Sequence, residues 1–168
     1  MKIPCVLLAV LSLGAATHAR ADSATITVTG KVLPGTCTVA NVPVPLADID
    51  AVDLVAGHDN GLAPLALTFS DCVGVGSIVL SFDGTDDAAQ DGHWSNQAVS
   101  GGASGVAVVL LDGLTGTTFL KKNATRTLTL NGAATATLDM RSGYYRKAGT
   151  LLKAGTVTTR ITVNADYR

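Results

Sequence analysis

The side chains able to do chemistry in this sequence are few and scattered. Downstream of residue 21 there are two histidines, His58 and His93, each beside Asp or Gly in a stretch that reads as a loop. An isolated imidazole could move a proton, but neither has a nucleophile or second base near it in sequence, so both are expected to be surface loop histidines. Four carboxylates, Asp83, Asp86, Asp87 and Asp91, could offer oxygens to calcium. Their order lacks the alternation and the closing Glu of an EF-hand loop, so a solvated acidic loop is expected. Gly74-x-Gly76 lacks the third glycine and following helix of a dinucleotide site. No Gly-x-Ser-x-Gly elbow is present. Asn123-Ala124-Thr125 fits a glycosylation sequon, and Trp94 could stack on a sugar. The sequence therefore offers no catalytic residues, no metal site and no cofactor motif.

Composition explains why the search is so barren and what fold to expect. Of the 168 residues, 47% are hydrophobic and only 15% charged, which argues against disorder. The formal charge is −1 with no basic cluster, so nucleic acid is not an expected partner. Every acidic residue is Asp, and Thr and Gly are abundant. Thr is stiff at χ1, Asp competes for backbone hydrogen bonds and Gly is entropically costly, so helices are disfavoured and an all-β domain is expected.

Lys2, the apolar run Ile3 to Ala16 and the small-residue site Ala19-Arg20-Ala21 read as a signal peptide over residues 1–21. The run is shorter than the roughly 20 residues a spanning helix needs, and no later segment comes closer, so no membrane insertion is expected. Cleavage after Ala21 would remove Cys5 and leave Cys37 and Cys72 in a chain bound for an oxidising compartment. One disulfide is the favoured reading; the competing metal site has no nearby histidine pair and no zinc spacing.

The elements that must carry these residues alternate with period two. Ala24, Ile26, Val28, Gly30 and Val32 interleave with Thr25, Thr27, Thr29 and Lys31, giving a strand-like segment with one apolar face before Pro34-Gly35. Further strands are expected over Leu65 to Phe69, Ser77 to Phe82, Val106 to Leu111, Arg126 to Leu130, Ala134 to Met140 and Thr156 to Tyr167. Asp83-Gly84, Asp112-Gly113, Asn131-Gly132 and Ser142-Gly143 read as turns between them. The stretch Asp83 to Ser104 reads as a long irregular connection. Short strands at this spacing with one disulfide point to an immunoglobulin-like β-sandwich. The tail alternates almost to its last residue, with Val157, Ile161, Val163, Ala165 and Tyr167 on one face, which suggests that this edge is used.

Taken in order, several features resemble the subunits of type 1 fimbriae, the pilins of the chaperone/usher pathway of Gram-negative bacteria. The segment Ile26 to Val32 followed by Cys37-Thr38-Val39 resembles the pilin N-terminal extension and first cysteine, and Cys72 after Leu67-Thr68-Phe69 resembles the second. Gly105 to Asp112 resembles the family's central strand. Gly155 and the penultimate Tyr167 match the C-terminal chaperone-recognition pattern. The resemblance spans residues 22 to 168.

What the resemblance implies is an all-β, incomplete immunoglobulin-like β-sandwich lacking its seventh strand, with a groove beside the C-terminal strand. It divides the chain into a signal peptide (1–21), an N-terminal donor-strand extension (22–36) and a pilin β-sandwich domain (37–168). A periplasmic chaperone lends a strand first, and the extension of the next pilin subunit replaces it at the outer-membrane usher, a form of strand addition for which pilins are a known case. Ile26, Val28, Gly30 and Val32 would be donated to a neighbouring subunit, while Gly155, Val157, Ile161, Val163, Ala165 and Tyr167 would form the groove edge. The product would be a cell-surface fimbrium that supports adhesion. The alternative is a self-contained secreted β-sandwich that binds carbohydrate through the Asp83 to Ser104 loop.

Overall fold

A computed structural model describes residues 25–168. The expected signal peptide, residues 1–21, lies outside the described residues. The chain divides into an N-terminal unit ending at Lys31 and a second unit, Val32–Arg168. Residues 25–31 form no strand, although their alternation favours one. A strand needs a partner for its backbone groups, and period two alone supplies none.

The second unit contains eight strands: β1 (Thr38–Val39), β2 (Asp59–Ser70), β3 (Ser77–Gly84), β4 (Trp94–Ser95), β5 (Val106–Asp112), β6 (Thr125–Thr129), β7 (Ala136–Arg146) and β8 (Ile161–Tyr167). They make two antiparallel sheets, a five-stranded one in the order β1-β2-β7-β5-β4 and a three-stranded one in the order β6-β3-β8. No helix among the described residues is long and apolar enough to cross a membrane.

Period two sets which face each strand buries. In β3, Ile78, Leu80 and Phe82 are fully buried while Ser77, Val79 and Ser81 turn away. Val106 to Leu111 of β5 are all apolar and buried on both faces, as suits a strand flanked by β4 and β7. Leu67 and Phe69 of β2, Val108 and Leu110 of β5, and Leu138 and Met140 of β7 meet the β3 side chains in one core. Cys37 and Cys72 are joined in a disulfide that fastens the chain before β1 to the end of β2. Closing that loop is worth about 4 kcal/mol in the chain-entropy model.

Four expectations from sequence need correction. Asp83-Gly84 is no turn but ends β3, where it pairs with Thr162 and Ile161 of β8. Ser142-Gly143 is no turn but lies inside β7, where Gly143 pairs with Val109. The neighbouring strand β2 is irregular between Asn60 and Ala63, and a Cβ on Gly143 would sit 2.6 Å from the Asn60 carbonyl oxygen. Glycine is there for backbone approach, as at a bulge. The Asp83 to Ser104 stretch is not a loose connection: it contains β4, Trp94 is fully buried, and the indole N–H donates to the Leu120 carbonyl at 3.1 Å. In the tail, only Ile161–Tyr167 pairs as a strand; residues 156–160 lie outside it.

Candidate functional site

The second unit is open along β8. A cleft of about 960 Å³ runs between β8 and the core-facing side of the five-stranded sheet. Its floor is Leu65, Leu67 and Phe69 of β2 with Val108, Leu110 and Met140; one wall is Val157, Ile161, Val163 and Ala165. The opposite lip is residues 40–51, which follow β1 without forming a strand. Pro43 and Pro45 within that lip have no N–H to donate to a ladder. Tyr144 of β7 ties the lip down, its hydroxyl donating to the Ala47 carbonyl at 3.2 Å. Burial and then the nearby Asp48 charge push the Tyr144 phenol above its ordinary value.

The state of β8 follows from its register. Along it Ile161, Val163, Ala165 and Tyr167 face inward yet are only half-buried, whereas inward residues of β3 are sealed. Arg168 and Ser77 exchange both hydrogen bonds, each 2.9 Å. In an antiparallel ladder such pairs alternate with pairs whose backbone groups point outward. Asp166, Asn164 and Thr162, opposite Val79, Ser81 and Asp83, therefore turn their N–H and C=O groups to β3. Tyr167, Ala165, Val163 and Ile161 turn theirs to the other edge, which pairs with no strand among the described residues. Ile161, Val163 and Ala165 thus offer apolar side chains to the cleft and free backbone groups beside it, and Tyr167 continues the free edge past the cleft. That is a template for one more strand.

The two ends of this edge are fixed. At one, the Tyr167 hydroxyl donates to the Cys37 carbonyl at 3.4 Å, so the disulfide-held segment and the tail strand meet. At the other, Gly155 packs so closely on residues 101–103 that a Cβ would lie 2.3 Å from the Gly101 carbonyl oxygen and 2.6 Å from the Ala103 nitrogen. Close approach, rather than an unusual φ, is what calls for glycine there.

The residues expected to be donated are Ile26, Val28, Gly30 and Val32. Ile26 and Val28 are each 88% exposed and Val32 is 95% exposed, although each is strongly apolar. A Cβ built on Gly30 meets no atom within 4 Å.

The polar candidates behave differently from expectation. His58 is exposed as anticipated, but His93 is buried between the rings of Phe119 and Tyr145. Its Nδ1 donates to the Asp91 carbonyl at 3.0 Å, and its Nε2 lies 3.6 Å from Asp59. Asp87 is buried in an ion pair with Lys147, while Asp83, Asp86 and Asp91 are exposed. Lys121 bonds the Asp91 carboxylate and, by that bond and its charge, holds it below its ordinary value. With Trp94 sealed in the core, the Asp83 to Ser104 loop has no ring to stack on a sugar. These groups hold a loop onto the sheet.

The cleft floor was visible in the sequence only as strands, not as a site. The Val42-Pro43-Val44-Pro45-Leu46 run was the overlooked signal for an unpaired apolar lip, since its prolines fall between apolar residues.

Fold and cleft together define a class: a disulfide-fastened, immunoglobulin-like two-sheet protein with an exposed strand edge over its own core. The family model described as "Fimbrial protein" matches residues 26–168. Protein FimG of Escherichia coli (strain K12) is 36% identical over 133 residues, 77% of this chain and 75% of that protein. The chain belongs to the fimbrial protein family; it is a structural, non-enzymatic fimbrial subunit at the cell surface. Among solved structures, its fold is similar to the P pilus rod subunit PapA, with TM-score 0.65 and 16% identity over 80% of this chain and 100% of that one. It is also similar to the CupB6 tip adhesin from Pseudomonas aeruginosa, with TM-score 0.64 and 19% identity over 79% of this chain. The chain spans only 38% of that adhesin's length. At these identities the two likenesses concern the fold.

Proposed function

We propose that the cleft beside β8 is the acceptor for an extended strand supplied by a neighbouring pilin subunit, and that residues 22–36 are the strand this subunit donates in turn. In this reading residues 1–21 are a signal peptide, residues 37–168 form the acceptor domain, and the cleft is filled first by a periplasmic chaperone and then, at the outer-membrane usher, by the next subunit. Ile26, Val28 and Val32 would enter a neighbour's cleft, each side chain worth about 2 kcal/mol when fully buried. Gly30 would lie where the cleft has no room for a Cβ. Gly155, Val157, Ile161, Val163, Ala165 and Tyr167 would be the edge gripped by chaperone and neighbour alike.

The observation that carries this reading is the coincidence on β8: the residues with half-buried apolar side chains are those whose backbone groups are unpaired. An edge of this kind over an apolar cleft is unstable against pairing with another strand. The test is to mix oxidised subunit with a synthetic peptide of residues 22–33. The expected result is a stoichiometric complex with a raised unfolding temperature. A monomer whose unfolding temperature ignores the peptide contradicts the proposal.

A further inference from the structure

The free edge of β8 does not end where its pairing with β3 ends. Between Thr156 and Ile161 no strand lies alongside, yet the backbone keeps the alternation of β8. The Thr156 N–H donates to the Gly101 carbonyl at 2.8 Å, and the Thr156 carbonyl accepts from the Asn96 side-chain amide at 3.0 Å and the Ala103 N–H at 2.9 Å. The Thr158 N–H donates to Asn96 Oδ1 at 2.9 Å, and the Thr158 carbonyl accepts from the Gln97 N–H at 2.7 Å. The Arg160 N–H donates to Gln97 Oε1 at 2.9 Å. Every second residue is thus bonded to residues 96–103. Val157 and Thr159 lie between them and line the cleft.

The Asn96 side chain makes four hydrogen bonds in all. Besides Thr156 and Thr158 its amide donates to the Ala103 carbonyl at 3.0 Å, and its Oδ1 accepts from the Ala98 N–H at 3.1 Å. Gln97 is anchored in turn through Nε2, which donates to Thr85 Oγ1 at 2.8 Å. Beside the backbone bonds to Gly101, Ala103 and Gln97, two side-chain amides therefore supply the rest of what a neighbouring strand would give. An amide carries both a donor and an acceptor, as a peptide unit does, so it can satisfy a ladder position where no backbone reaches.

We propose that Asn96 and Gln97 are positioning residues that extend the acceptor edge from Ile161 back to Val157, so that the edge matches a donated segment as long as residues 22–32. This rests on the acceptor role proposed above. Without the two side chains the Thr158 and Arg160 N–H groups would lose their partners, and the corresponding end of the donated strand would meet a less fixed ladder.

The test uses the oxidised full-length chain and three fluorescent peptides read by polarisation: residues 22–33, 22–29 and 26–33. In the wild type the long peptide should bind tightest. In Gln97→Ala, at an exposed position that should not impair folding, and in Asn96→Ala, the long peptide should weaken about tenfold, the effect of losing one or two ladder bonds. One truncated peptide, the one that leaves the 157–160 end uncovered, should bind wild type and variants alike. Asn96→Asp, which keeps the acceptor for Thr158, should fall between. Equal weakening of all three peptides, or none, overturns the positioning role. A wild-type chain that binds no peptide overturns the acceptor reading itself.

Discussion

Proline at Ala165 and proline at Asn164 should have opposite consequences, although the residues are adjacent on one strand. By the register of β8, the Asn164 N–H points to Ser81 of β3 and the Ala165 N–H to the vacant edge. Asn164→Pro removes a ladder bond and leaves a carbonyl of β3 without its donor, which costs about 2 to 3 kcal/mol. In a domain of this size that lowers Tm by roughly 4 to 12 °C. Ala165→Pro removes no bond within the subunit, so its stability should change by less than about 1 kcal/mol. Its ring does occupy the space an added strand needs, and one donor is gone, so binding of the 22–33 peptide should weaken about tenfold or more. Thermal unfolding and peptide titration of the two oxidised variants give both numbers. If Ala165→Pro destabilises the free subunit as much as Asn164→Pro, the Ala165 N–H is already used and the edge is not vacant.

Deleting residues 22–31 should leave the subunit able to bind an added 22–33 peptide while abolishing its incorporation onto another subunit, as read from ladders of polymer on a gel; equal loss of both abilities would count against separate donor and acceptor roles. Replacing Cys37 and Cys72 together by serine should cost about 4 kcal/mol in denaturant unfolding, and a loss below about 1 kcal/mol would show that the loop is held by other contacts. The Tyr144 phenol, raised by burial, favours the folded state while protonated, so this contribution is whole below pH 10 and is lost as pH rises through the higher folded value. Tyr144→Phe should remove that alkaline decline, as followed by unfolding between pH 9 and 12; an unchanged decline refutes the assignment.

Much of the sandwich was legible because its strands bury one face in strict alternation. Ile78, Leu80 and Phe82 announce β3, and the unbroken Val106 to Leu111 run announces a central strand. Cysteine count and compartment sufficed for Cys37 and Cys72. Reading failed where tertiary contact overrides local pattern. Ser142-Gly143 has turn chemistry, but its glycine serves the irregularity in β2. His93, Asp87 and Trp94 sit in a polar, glycine-rich stretch whose composition says surface, yet each is buried by a partner distant in sequence: Asp59, Lys147 and Leu120. Thr156 to Arg160 continues the alternation of β8 but is held by an isolated bridge and two side-chain amides in place of a strand, and nothing in the local sequence marks Asn96 and Gln97 for that task. The cleft itself is a missing neighbour, and a missing neighbour leaves no periodicity; only the unused apolar alternation of Ile26, Val28 and Val32 hinted at it.

Amide hydrogen exchange along β8, residue by residue, reads whether its outer edge is vacant. In the isolated oxidised subunit Thr162, Asn164 and Asp166 should exchange slowly, and Ile161, Val163, Ala165 and Tyr167 quickly, because only the first three donate to β3. On addition of the 22–33 peptide the second set should become slow as well. Uniform slow exchange across all seven amides in the isolated subunit, unchanged by the peptide, would mean that β8 already has a partner on both sides.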